Sequence, residues 1–122
     1  MQNFKDLKVW QKAHCMVLSI YQQTVGFPAQ EKFGLTSQIR RAAVSIPANI
    51  AEGSVRSSDA DFARFLHIAL GSASEVDHYL LLARDLRFWK DETYQALAAD
   101  LQEIKRMLAA LITRVKPTTA RA

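Results

Sequence analysis

Apolar residues recur every three or four positions along nearly the whole chain, and the pattern breaks at three places. These are Gly26-Phe27-Pro28, Gly53-Ser54-Val55-Arg56-Ser57-Ser58 and the weaker Phe88-Trp89-Lys90-Asp91. Four segments of helical length remain, and no segment shows the two-residue period of a strand. In the first, Leu7, Trp10, His14, Val17, Tyr21 and Val25 share one face, with Lys5, Lys8 and Lys12 off it. The second is expected to begin just after Pro28 and to bury Leu35, Ile39, Ala43, Ile46 and Ile50. Pro47 interrupts it with a kink rather than a stop, because the period continues to Ile50, and Gly53 is the expected terminus.

Ser58-Asp59-Ala60-Asp61 reads as a capping box that opens the third helix, with the Ser58 hydroxyl accepting from the amide of Asp61. This helix has two apolar stripes. Phe62, Leu66, Ala69, Ala73, Val76, Leu80 and Ala83 form one, and Phe65, Ile68, Tyr79, Leu82 and Leu86 the other. One bundle core occupies one stripe, so the second face, with the small cluster Ala69, Gly71, Ser72, Ala73 and Ser74, points to self-association. Asp91 is the expected cap of the fourth helix. Its stripe is Tyr94, Leu97, Leu101, Ile104, Leu108, Leu111, Ile112 and Val115, and Pro117 ends it. Short loops between long helices predict an all-α, antiparallel up-down-up-down four-helix bundle. Residues 1–116 form its single domain, and 117–122 are a flexible tail.

Composition fits one globular domain: 122 residues, 49% hydrophobic and 23% charged. A chain of this length buries roughly two-thirds of its unfolded surface, enough to stand without disulfide or structural metal. Cys15 is alone, no secretory leader is visible, and no run of about 18 uncharged apolar residues occurs. A soluble, cytoplasmic protein without membrane contact is expected.

Formal charge is +4, unevenly placed. Residues 1–25 hold Lys5, Lys8 and Lys12 against Asp6. Residues 104–122 hold Lys105, Arg106, Arg114, Lys116 and Arg121 with no acid, whereas 58–89 are net acidic. Basic ends suit a polyanion, and phosphate contact is expected from Lys5, Lys8, Lys12, Arg40, Lys105, Arg106, Arg114 and Lys116. No helix-turn-helix signal and no basic patch interleaved with aromatics is visible, so base-specific reading is not expected.

Catalytic chemistry finds little support. Glu75-Val76-Asp77-His78 offers half of a di-iron Glu-x-x-His set, but the second half and the extra glutamates are missing. Gly71-Ser72-Ala73-Ser74-Glu75 lacks the strand and second glycine of a nucleophile elbow. No glycine-rich phosphate loop occurs. The expectation is a non-enzyme without metal or cofactor.

One arrangement is not ordinary packing. In the second helix Gln38, Arg41, Ser45, Asn49, Glu52 and Arg56, spaced 3, 4, 4, 3 and 4, make a polar line beside the apolar stripe. Ser, Asn and Gln are poor interior helix formers. Their placement implies hydrogen bonding within the bundle, across a subunit contact or to a ligand. Gln38, Arg41, Ser45, Asn49, Glu52, Ser72 and Glu75 are the expected oligomer or structural polar network.

Three blocks carry a family resemblance. They are Phe4-x-x-Leu7-x-Val9-Trp10-Gln11-Lys12-Ala13, Phe27-Pro28-x-x-Glu31-x-Phe33-Gly34-Leu35, and Ser37-Gln38-Ile39-Arg40-Arg41-Ala42-Ala43-Val44-Ser45-Ile46-Pro47-Ala48-Asn49-Ile50-Ala51-Glu52-Gly53. With Phe62-x-x-Phe65-Leu66-x-Ile68-Ala69-x-Gly71-Ser72-x-x-Glu75 they resemble the bacterial four-helix-bundle proteins related to the 23S ribosomal RNA intervening-sequence protein. The resemblance implies a non-catalytic protomer assembling into a homopentameric barrel. It also implies a distant similarity to accessory proteins of diversity-generating retroelements, which bind nucleic acid and a reverse transcriptase. The expected function is therefore a homo-oligomeric scaffold binding RNA or DNA without base specificity. The alternative is a protein-protein adaptor for a locally encoded partner, with no nucleic-acid role.

Overall fold

The computed structural model describes residues 3–115, and the expected features at Lys116, Pro117 and the tail 117–122 lie outside the described residues. A 3-10 turn, Phe4–Asp6, leads into α1 (Lys8–Gln23). A second 3-10 turn, Ala29–Glu31, precedes α2 (Leu35–Ser54), followed by α3 (Asp59–Asp85) and α4 (Asp91–Val115). There is no strand among the described residues. Each helix packs on its neighbour in sequence, and α4 returns to α1, so the four close around one core.

The stripes of α2, α3 and α4 are where periodicity puts them. Ile39, Ile46 and Ile50 meet Leu66, Val76, Leu80, Leu101, Ile104 and Leu108 with no exposed surface. Pro47 lies buried inside α2, and the helix runs on through it to Ser54, one residue past Gly53. Ser58 Oγ accepts from the Asp61 amide at 3.1 Å, the expected cap. Asp91 is the first residue of α4 rather than its cap, and shares the opening turn with Glu92.

Two further expectations change. The first helix buries Leu7, Val9, Ala13, Met16 and Ile20, whereas His14 is exposed and Val25 is 77% exposed. Two apolar stripes overlap in this segment, and the inner one is set by Ala13 and Met16, a small and an adaptable side chain that let α1 approach closely. Trp10 stays half-buried on the outside, stacked on His14 at 4.9 Å with Phe4 edge-on at 5.0 Å. The second helix begins at Leu35, not after Pro28. Pro28 leads only into the 3-10 turn, and the Glu31 carboxylate then accepts from the Leu35 amide at 2.9 Å, starting a fresh helix after Gly34.

The weak third break is part of the core. Trp89 is buried and donates from its indole Nε1 to the Gln23 carbonyl at 2.8 Å, while Phe27 packs on Phe88 and Trp89 at 5.2 and 5.1 Å. The α1–α2 and α3–α4 connections are thereby pinned together. Arg87 takes up the left-handed conformation (φ 64°), and the Phe88 amide returns to the Ala83 carbonyl at 2.9 Å, closing α3 in a Schellman-type turn.

At Gly53 α2 packs tightly on α3: an added Cβ would stand 2.7 Å from Phe65 Cβ and 3.0 Å from Phe62 Cδ1. Helix propensity alone favours Ala over Gly by roughly 0.5–1 kcal/mol, but here overpacking wins. Gly53→Ala is expected to destabilise the fold by about 1–3 kcal/mol in urea unfolding. An unchanged or higher midpoint would show that the two helices are not held this closely.

Candidate functional site

The polar line of α2 divides by register against α3. Ser45 Oγ and Ser72 Oγ are 2.8 Å apart, and Asn49 Nδ2 donates to the Ser45 carbonyl at 2.8 Å and to Ser45 Oγ at 3.0 Å. This cluster is half-buried in the α2–α3 seam. Further along, the Tyr79 hydroxyl donates to Glu75 at 3.2 Å and stands 3.5 Å from Gln38 Oε1. Desolvation first, then the adjacent Glu75 carboxylate, pushes the Tyr79 phenol up from the ordinary tyrosine range. Glu52 pairs with Arg56 one turn on, an exposed i,i+4 pair worth only tenths of a kcal/mol. Arg41 joins none of these groups. The structure thus brings Ser45, Asn49 and Ser72 together, and Gln38 with Glu75, while Arg41 and Glu52 stand apart.

Beside this seam, the second stripe of α3 stays largely outside. Phe65 is the exception. It is buried against Gly53, with the guanidinium groups of Arg56 and Arg64 at 4.7 and 4.5 Å from its ring. Ile68 and Leu86 are 42% and 48% exposed, Leu82 is also exposed, and Tyr79 is half-buried. The small cluster divides as well: Ala69 and Ala73 are spent inside the bundle, while Gly71 faces open space. Covering what remains of Ile68, Leu82 and Leu86 is worth roughly 1 kcal/mol each. The outward face thus joins exposed apolar residues to a hydrogen-bonded seam.

The expected phosphate contacts do not form one patch. Lys8 and Arg114 line one rim between α1 and α4, alongside Asp6. Lys12 meets Asp100 at 3.7 Å, Lys105 meets Asp77 at 3.3 Å, and Arg106 is bonded to Glu103. Lys5 is exposed at the first turn, 5.9 Å from the Phe4 ring centroid. Arg40 lies across Tyr21 and donates to Thr24 Oγ1 at 2.9 Å. There it borders a groove of about 370 Å³ shared with Lys32, Phe33 and Arg41. Sequence reading missed this groove, because Tyr21 of α1 meets the residues of 32–41 only through packing. The adjacent Lys32-Phe33 pair, a cation and an aromatic in a turn, was the only local signal.

The profile of the 23S rRNA-intervening sequence protein family matches residues 5–110. The chain belongs to this family. It is also similar to a crystal structure from Bacteroides thetaiotaomicron, a protein of unknown function from the S23 ribosomal protein family. Identity is 31% and the TM-score 0.79, over 86% of this chain and 95% of that one. No curated protein matches.

In this member of the family, no three His, Cys, Asp or Glu side chains gather into a metal-binding set among the described residues. Glu75 is engaged by Tyr79, and the neighbouring His78 ring lies 5.4 Å from that of Tyr79. No described helix is long and apolar enough to cross a membrane.

Asn49→Leu tests the seam. Leu is a good helix former but cannot bond Ser45, so the substitution is expected to alter assembled mass in sedimentation while leaving helix content by circular dichroism nearly unchanged. Unaltered mass would show that the seam plays no part in assembly.

Proposed function

We propose that the chain is a non-enzymatic scaffold, an up-down-up-down bundle bent at Pro47 that assembles into a homopentameric barrel and binds RNA or DNA through its basic surface without reading bases. The observation that carries assembly is the outward α3 stripe, Ile68, Leu82 and Leu86, beside the hydrogen-bonded seam with α2. Residue pairings support the antiparallel order: Gln38 near Tyr79, Ser45 at Ser72 and Gly53 at Phe65 between α2 and α3, with Lys12 near Asp100 between α1 and α4. Membership of a family named for an intervening sequence in ribosomal RNA favours nucleic acid over an adaptor role.

Charge gives the mechanism. Each protomer carries +4, so a pentamer reaches about +20, and repeated weak phosphate contacts add through multivalency. Dispersed cations such as Lys5, Lys8 and Arg114 suit this use better than base-specific recognition, which needs side chains held against base edges.

The test is binding of nuclease-treated protein to a labelled RNA stem-loop, followed by fluorescence anisotropy from 50 to 200 mM salt. Six or more phosphate contacts predict a loss of about a thousandfold in affinity across that range. Lys8→Glu with Arg114→Glu should flatten the slope. Absence of binding at 50 mM salt would remove the nucleic-acid reading.

A further inference from the structure

Phe33 is 87% exposed, more than any other large apolar residue described, although it sits in a short turn between two helical elements. Its surroundings differ from those of an incidental surface phenyl. Lys32 Nζ lies 5.5 Å from its ring centroid, and across the groove Arg40 lies 4.6 Å from the ring of Tyr21, itself exposed. Arg40 is fixed there: its Nε donates to Thr24 Oγ1 at 2.9 Å and its Nη2 to the Tyr21 carbonyl at 3.3 Å, and Thr24 is buried and anchored to the Ile20 carbonyl at 2.7 Å. One flat cationic surface, the Arg40 guanidinium, is thus held in place before any ligand arrives.

The electrostatics run one way. Lys32, Arg40 and Arg41 border the groove with no acidic side chain among its lining residues. The nearby Glu31 carboxylate is occupied by the Leu35 amide. Neither Lys32 nor Arg41 forms an ion pair or side-chain hydrogen bond with another described residue. Thr36 and Ser37, in the first turn of α2, complete the wall with hydroxyls at the helix end that favours anions.

We propose that this groove binds single-stranded nucleic acid, with a base stacked on Phe33 and the adjoining phosphates held by Lys32 and Arg41. Aromatic faces alternating with cations form a stacking platform that tolerates any base, since every base has a π face. A duplex keeps its bases stacked on one another and offers Phe33 nothing. The inference rests on the nucleic-acid reading above and narrows it, from dispersed phosphate contact to one groove and one strand form.

The test uses nuclease-treated full-length protein with a labelled twelve-nucleotide oligothymidine, and a twelve-base-pair duplex as control. Phe33 is so exposed that Phe33→Ala should fold as the parent does, checked by circular dichroism. It is expected to weaken oligothymidine binding about tenfold while leaving the duplex and the salt slope unchanged, and Phe33→Trp should restore binding. Lys32→Ala with Arg41→Ala should lower the single-strand salt slope by about 1.4. Equal binding by Phe33→Ala and the parent would overturn the groove while leaving the scaffold reading intact, provided Lys8→Glu with Arg114→Glu still weakens binding. Absence of oligothymidine and duplex binding in the parent would overturn both. A changed mass for Phe33→Ala with unchanged binding would assign Phe33 to a subunit contact, and displacement of oligothymidine by polyglutamate as effective as by unlabelled oligothymidine would assign the groove to acidic polymers in general.

Discussion

The contact between α2 and α3 decides what the rest of the molecule can present. Gly53 lets the helices meet without a side chain between them, against Phe62 and Phe65, and the Ser45–Ser72 bond sets their register further along. A one-turn slip would place a Cβ-bearing residue at the tight point and leave two half-buried hydroxyls without each other, so close packing and hydrogen bonding select the same alignment. Once that alignment is fixed, Phe65 is drawn inward while Ile68, Leu82 and Leu86 remain outside. The outward stripe is thus a consequence of how α3 meets α2.

Much of this was legible in the sequence, for identifiable reasons. The stripes of α2 and α4 are narrow and strongly periodic, so only one face of each could be buried, and Ser58 announced the start of α3 through local chemistry. The α1 stripe was misread because Val9, Ala13, Met16 and Ile20 compete with Trp10, Val17 and Tyr21, and the choice between overlapping stripes is made by partner helices. The start of α2 depended on Glu31 folding back onto Leu35, a side-chain bond that proline position alone does not reveal. Of the candidate site, the seam was foreseeable as polar residues at helical spacing. The groove was not, because Tyr21, Phe33 and Arg41 become neighbours only when α1 packs on α2.

Two surfaces with different chemistry emerge. The α2–α3 face combines apolar residues with internally satisfied hydrogen bonds, which suits burial against a like surface. The Phe33 groove combines cations that have no acidic partner among the described residues with exposed rings. In an assembled ring each protomer would repeat its groove, so a strand held weakly at one could be held well at several. On the proposed assembly, binding strength would follow the number of grooves presented.

On the proposed assembly, further copies of the chain cover the outward α3 stripe. Absolute mass of the purified, nuclease-treated protein by light scattering tests it most directly. Five protomers of 13.7 kDa each are expected at micromolar concentration. A mass of one protomer across the accessible concentration range would contradict it.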